Sequence, residues 1–104
     1  LKYIYQAAGN VSPGGGLTAN VTTSTTTYKE MKSLQVDYRL ERWTGSHWVT
    51  YRSGTKSKTQ TQSLSAQSSW TVITGYYYRV VSTHTANDGT NSENTTDISN
   101  SVLL

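Results

Sequence analysis

Residues 36–53, VDYRLERWTGSHWVTYRS, constrain this chain more than any other segment. Two runs of alternating apolar and polar residues flank Thr44-Gly45-Ser46-His47. That composition and spacing predict a β-hairpin with a Trp at each foot of the turn. With Thr44–His47 as the loop, Trp43 faces Trp48, and the same register pairs Leu40 with Tyr51, Glu41 with Thr50 and Arg39 with Arg52. Opposed residues share a face, so the hairpin divides into two surfaces. Val36, Tyr38, Leu40 and Tyr51 take the core side; Trp43, Trp48, Glu41, Arg39 and Arg52 take the other.

The rest of the chain follows the same period of two. Residues 1–8 read as a first strand, ended by Gly9, Asn10 and the Ser12-Pro13-Gly14-Gly15-Gly16 break. Leu17, Ala19 and Val21 alternate with Thr18, Asn20 and Thr22 in a second strand that reaches Thr27. Leu34–Leu40 is the third and Trp48–Ser53 its partner. The polar stretch 54–62 reads as a loop, or as an edge strand guarded by Lys56 and Lys58. Leu64, Ala66, Trp70 and Val72 share one parity; Gly75 then turns the chain into Tyr76–Thr85. A long polar loop through Asn87-Asp88-Gly89 leads to a last strand, Ile98–Leu104. No segment of ten residues carries apolar groups at helical spacing. About three residues in ten are Ser or Thr and only 14% are charged, a composition suited to half-solvated sheets. The expected fold is one all-β domain over residues 1–104, an antiparallel two-sheet sandwich of about seven strands.

Several kinds of chemistry find no residues here. The chain has no cysteine, which excludes a disulfide framework, a thiol nucleophile and a Cys-based zinc site. His47 and His84 belong to no His-x-x-x-His pair, and there is no Gly-x-Ser-x-Gly elbow, phosphate loop or dinucleotide fingerprint. Asp37 and Glu41 lie four apart on one strand face, but each has an arginine nearby, which opposes the raised pKa that a general acid needs. The oxygen-rich run Asn87–Asn94 with Asp97 lacks the spacing of a calcium loop and reads as a solvated turn. The expectation is a non-catalytic protein with no cofactor and no metal.

Charge and processing bear on partners. The formal charge of +3 is unevenly placed: residues 29–58 hold seven Lys/Arg against three Asp/Glu, while residues 75–104 hold one Arg against three acids. A basic middle favours an anionic partner, although so mild a net charge argues against nucleic acid. The sequence starts at Leu1 rather than Met and shows neither a signal peptide nor a membrane span, which reads as a processed chain. A secreted or cell-surface location is the expectation.

Two resemblances sharpen these readings. Gly75-Tyr76-Tyr77-Tyr78-Arg79-Val80 resembles the sixth-strand signature Gly-x-x-Tyr-x-Val of fibronectin type III and related immunoglobulin-like domains. The resemblance implies a tyrosine corner, with the Tyr78 hydroxyl bonded to upstream backbone. Leu40–Trp48, an L-x-R-W-x-G-x-x-W hairpin, together with Gly75–Val80 resembles small secreted proteins of Gram-positive bacteria, of the Firmicutes type. That resemblance implies export and brings no activity with it.

The residues themselves point to binding. Sugar rings stack on indole faces, and guanidinium groups grip carboxylates or phosphates. Trp43, Trp48, Arg39 and Arg52 therefore form the leading candidate site, for an anionic or neutral polysaccharide, a cell-wall polymer or a surface protein. Tyr77 with Arg79 forms a second candidate surface. The Trp pair also has a purely architectural use, since such pairs stabilise hairpins by about 0.5–1.5 kcal/mol beyond area burial. Self-assembly through edge strands, or a small antimicrobial or toxin-like role, are the alternative expectations.

Overall fold

The computed structural model describes residues 2–104, and the protein is all-β, with no helix among those residues. Leu1, which the sequence assigns to the first strand, lies outside the described residues. The described residues form six strands: β1 (Ile4–Pro13), β2 (Thr18–Trp43), β3 (Trp48–Thr71), β4 (Tyr77–Asn87), β5 (Ser92–Ile98) and β6 (Val102–Leu103). They form one antiparallel sheet in the order β1-β2-β4-β5, with β3 pairing β2 and β6 pairing β4. The sheet is curled like half a barrel.

The strand boundaries differ from the sequence reading in an instructive way. β2 spans 26 residues and β3 spans 24, so each absorbs two expected strands, and the polar stretch 54–62 is strand throughout. Nothing in Thr, Ser, Gln and Lys breaks a strand; only Gly and Pro carry strong stop signals, and Gly9 is itself passed over by β1. β5 occupies part of the expected polar loop, and of the expected last strand only its first residue, Ile98, and the short β6 are paired.

A bend turns β2 and β3 back on themselves. The β2–β3 register shifts between Thr26 and Met31, and Gln60 on β3 takes a left-handed φ of 50°. Backbone groups freed by the bend are met by side chains and by the residue before β1: Thr27 Oγ1 donates to the Lys29 carbonyl at 2.6 Å, Gln62 Nε2 to the Thr27 carbonyl at 3.3 Å, and the Tyr28 amide to the Tyr3 carbonyl at 2.9 Å. On one side of the bend β2 pairs with β1 and the later half of β3. On the other it pairs with the earlier half of β3 and with β4.

The core fills the space inside the curl. Val11, Ala19, Val21, Leu64 and Ala66 come from the first side, and Leu34, Val36, Leu40, Tyr78, Val80 and Ala86 from the second. Polar side chains also cross this interior. Tyr38 reaches Ser68, with Oη 2.7 Å from Oγ, and its ring lies 5.9 Å from that of Trp70. His84 is fully buried between the hydroxyls of Thr25 and Ser82, the latter 2.8 Å from Nε2.

Gly54 is what lets Tyr38 make that crossing. The two are cross-strand partners, and a Cβ at position 54 would stand 2.8 Å from both Cζ and Oη of Tyr38. The ring is held by Ser68 and cannot swing away freely. Gly54→Ala is therefore expected to cost about 1–3 kcal/mol, the usual range for overpacking a filled site. A urea denaturation midpoint unchanged from wild type would refute this.

The free edges of β1 and β5 are joined by side chains instead of a backbone ladder. Glu93 on β5 accepts from the amides of Lys2 (2.7 Å), Tyr3 (3.0 Å) and Ile4 (2.8 Å), and Asp97 accepts from the Gly9 amide at 3.1 Å. The acids of the expected loop thus hold the first strand in place. The Tyr3 hydroxyl adds a bond to Asp88 at 2.7 Å.

Candidate binding groove

The hairpin turn forms as its composition dictates. The Thr44 amide donates to the His47 carbonyl at 3.0 Å, and Gly45 takes the left-handed φ of 103° that the loop demands. Trp43 and Trp48 are paired, their ring centroids 5.3 Å apart at an interplanar angle of 56°. Both are half-buried.

Below the turn the register departs from the simple hairpin. Glu41 lies opposite Thr50 as expected, but a β-bulge then places Leu40 opposite Arg52 and Arg39 opposite Ser53. Two residues of β3, Tyr51 and Arg52, span one position of β2. The expected Arg39–Arg52 pair does not exist. Arg52 instead stacks on Tyr51, its guanidinium carbon 4.4 Å from the ring centroid, away from the tryptophans.

Arg79 takes the place vacated by Arg52. β4 pairs with β2 so that Arg79 lies opposite Glu41, which fuses the two candidate surfaces of the sequence reading into one. Glu41 accepts from Nε of Arg39 at 2.9 Å and from Nε of Arg79 at 2.8 Å, and the Arg79 guanidinium carbon lies 4.4 Å from the Trp48 ring centroid. Burial pushes the Glu41 carboxyl up, but hydrogen bonds and charge from Arg39 and Arg79 outweigh it and hold the group below its ordinary value. Two guanidiniums and one carboxylate leave one net positive charge on this triad, which Asp37 farther along the same face offsets.

Trp43, Trp48, Tyr77 and Ser101 line an open groove of about 260 Å³ beside this triad. Tyr77 is 48% exposed at its edge. On the other side of Arg39 a polar recess of about 160 Å³ is bounded by Asp37, Ser53, Thr55 and Thr83. Thr55 Oγ1 donates to Asp37 there at 2.8 Å. The face therefore runs from aromatic to polar over the seven residues from Trp43 back to Asp37 on β2, roughly 20 Å at strand spacing.

Trp43, Trp48, Arg39 and Tyr77 are brought together, and Arg52 is not. Arg79 joins them because β2 and β4 are neighbours, a pairing that no local pattern encodes. Ser101 carried no signal of any kind. His84 stands apart from this face, in the interior. No family model, curated protein or solved structure matches the chain.

Proposed function

We propose that this protein is a non-catalytic binding module, secreted or displayed at a cell surface, that takes an extracellular glycan along the outer face of β2 and β4. The groove between Trp43, Trp48 and Tyr77 carries the reading: three aromatic side chains around an open recess, beside hydrogen-bonding groups, is the arrangement on which sugar rings stack. Because Glu41 already engages both arginines, the face suits a neutral or weakly acidic polymer. The Gram-positive resemblance fits such a role at a cell wall.

A fibronectin type III-like or immunoglobulin-like sandwich is the finer fold we infer. Cut at their bends, β2 and β3 give seven segments with β1, β4 and β5. These fall into a group of three, β1 with the first half of β2 and the last half of β3, and a group of four. The Tyr78 hydroxyl donates to the Ile73 carbonyl at 2.6 Å, the bond a tyrosine corner calls for.

Tryptophan fluorescence tests the site. Titration with a panel of neutral and acidic cell-wall and host polysaccharides is expected to give a saturable shift for at least one. Trp43→Ala/Trp48→Ala should weaken that binding by about 2–4 kcal/mol, the range of interface hot spots. Full binding by a folded double variant would remove the groove as the site. A second reading, self-assembly, is favoured by one observation: among the described residues β3 pairs with β2 alone, so its other edge is open. Light scattering separates the two readings, since a mass that rises with concentration supports assembly.

A further inference from the structure

The bulge that removes Arg52 from the groove builds a second constellation on the opposite side of the hairpin. The guanidinium carbons of Arg52 and Arg42 lie 4.4 Å and 5.3 Å from the Tyr51 ring centroid, and that of Arg42 also lies 4.7 Å from the Tyr76 ring centroid. Arg52, Tyr51, Arg42 and Tyr76 thus form a ladder in which cations and rings alternate. Tyr76 is 39% exposed at one end, and Arg52 is exposed at the other.

Neither arginine has a counter-ion among the described residues. Both salt bridges among the described residues belong to Glu41 on the far face. Arg52 donates through Nη1 to its neighbour's carbonyl, that of Tyr51, at 2.9 Å, and Nε of Arg42 is buried with no acceptor. The chain has six acidic residues, and five are engaged elsewhere: Asp37 by Thr55, Glu41 by Arg39 and Arg79, Asp88 by Tyr3, Glu93 and Asp97 by the amides of β1 and the residues before it. The sixth, Glu30, sits at the bend, roughly 40 Å along β2 from Arg42. No side-chain carboxylate among the described residues pairs with this ladder, and the terminal carboxyl of Leu104, which accepts from the Gly75 amide at 2.6 Å, forms no salt bridge with it.

We infer that the Arg52–Tyr51–Arg42–Tyr76 ladder is an oxyanion-binding site, and that its ligand is a polysaccharide bearing phosphate, sulfate or carboxylate groups. Planar guanidinium groups bind such oxyanions through paired N–H donors, and stacking on tyrosine holds the plane ready for them. A polymer fits better than a single small ion. Tyr51 packs against both guanidiniums, whose carbons lie no more than about 10 Å apart by the two distances to its ring, so successive anionic groups can engage them in turn. The site is independent of the aromatic groove and stands whether or not that groove takes sugar.

Arginine Nε–H resonances of the whole chain, followed by ¹H–¹⁵N spectroscopy, read this directly. The probes are polygalacturonate, dextran sulfate and a phosphate-bearing mannan, with neutral dextran as control. Saturable shifts at Arg42 and Arg52 are expected with at least one charged polymer and none with dextran, while Arg39 and Arg79 stay in place on Glu41. The responding polymer identifies the oxyanion. Arg52→Gln, an exposed change that leaves the core intact, should weaken binding at least about tenfold, whereas Lys56→Gln/Lys58→Gln on the same strand should weaken it less than about threefold. Equal losses from both variants would mean diffuse attraction to a basic strand and would overturn the site. So would unchanged binding by Arg52→Gln, no response to any charged polymer, or tighter binding of single-stranded oligothymidylate than of all three polymers, which would assign Tyr76 to base stacking.

Discussion

Tyr78→Ala is expected to bring the domain close to unfolding, with a loss of about 3–5 kcal/mol, as for other large aromatic truncations in cores. Tyr78 is fully buried and is the largest such side chain in the protein. Its ring meets Tyr51 edge-on at 5.7 Å and 75°, and it lies opposite Arg42 in the β2–β4 ladder. The hydroxyl donates to Ile73 in the short connection that carries the chain from the end of β3, on one side of the curl, to β4 on the other. Burial raises the Tyr78 pKa, so the phenol remains a donor at neutral pH.

Tyr78→Phe separates the ring from the hydroxyl. The ring keeps its packing, and the Ile73 carbonyl, on an exposed connection, exchanges its donor for water; about 1 kcal/mol is expected. Against a total of about 5–15 kcal/mol for a domain of this size, the phenylalanine variant remains folded while the alanine variant is marginal. Urea denaturation of the pair measures both. Equal losses would place the whole effect in the hydroxyl bond, and a loss below about 2 kcal/mol for Tyr78→Ala would mean that the core closes over the cavity.

What was readable in the sequence was the local period. The alternation of Leu34, Val36, Tyr38 and Leu40 marks a buried face correctly, and the Thr-Gly-Ser-His turn fixes the Trp43–Trp48 pair. Two things were not readable. The bulge at Tyr51 has no compositional signal, since neither Tyr51 nor Arg52 is a turn residue, yet it moves one arginine of the candidate site to the opposite face. The bend near residue 28 is equally silent, because the chain there, Thr-Tyr-Lys-Glu, is ordinary strand material whose irregularity is imposed by the packing of two half-sheets. The pairing of Glu41 with Arg79, across 38 residues, follows from that packing and from no local pattern.

The carboxylates that tie β1 to β5 illustrate the same limit. In sequence, Asp88, Glu93 and Asp97 look like the decoration of a solvated loop; in the fold they replace a missing backbone ladder. Asx geometry adds to this at Asp88, whose Oδ1 accepts from the amides of Thr90 at 2.8 Å and Asn91 at 2.6 Å. A polar alternation in a strand therefore served a pairing role that hydrophobic patterning does not detect.

Acid should release β1 before it unfolds the rest of the protein. The Asn91 amide, the Tyr3 hydroxyl and the Thr90 amide hold the Asp88 carboxyl at about 2, below its ordinary 3.8. Burial pushes Glu93 up, but the amides of Ile4, Tyr3 and Lys2 outweigh it, so this carboxyl also lies below its ordinary value, as does Glu41. A carboxyl with a depressed folded pKa binds fewer protons folded than unfolded, so its contribution is complete above the unfolded value. It is lost as the pH falls through the folded one. His84 acts earlier and with the same sign. Its burial lowers the pKa below 6.5, with the charge of Asp97 opposing, so the unfolded chain takes up a proton that the folded one refuses and stability declines below about pH 6.5. Two stages are expected: a shallow loss that begins below about pH 6.5 and that His84→Gln removes, then a steeper one below about pH 4. Tm should fall in both stages as the pH is lowered. Amide exchange locates the second stage. The amides of Tyr3, Ile4 and Gly9 should lose protection while the β2–β4 ladder keeps it, and Glu93→Gln should lose the protection of Tyr3 and Ile4 already at neutral pH. Protection lost together in β1 and β2–β4 would mean that these carboxylates report on global unfolding only, and that the joined edge is no weaker than the sheet it closes.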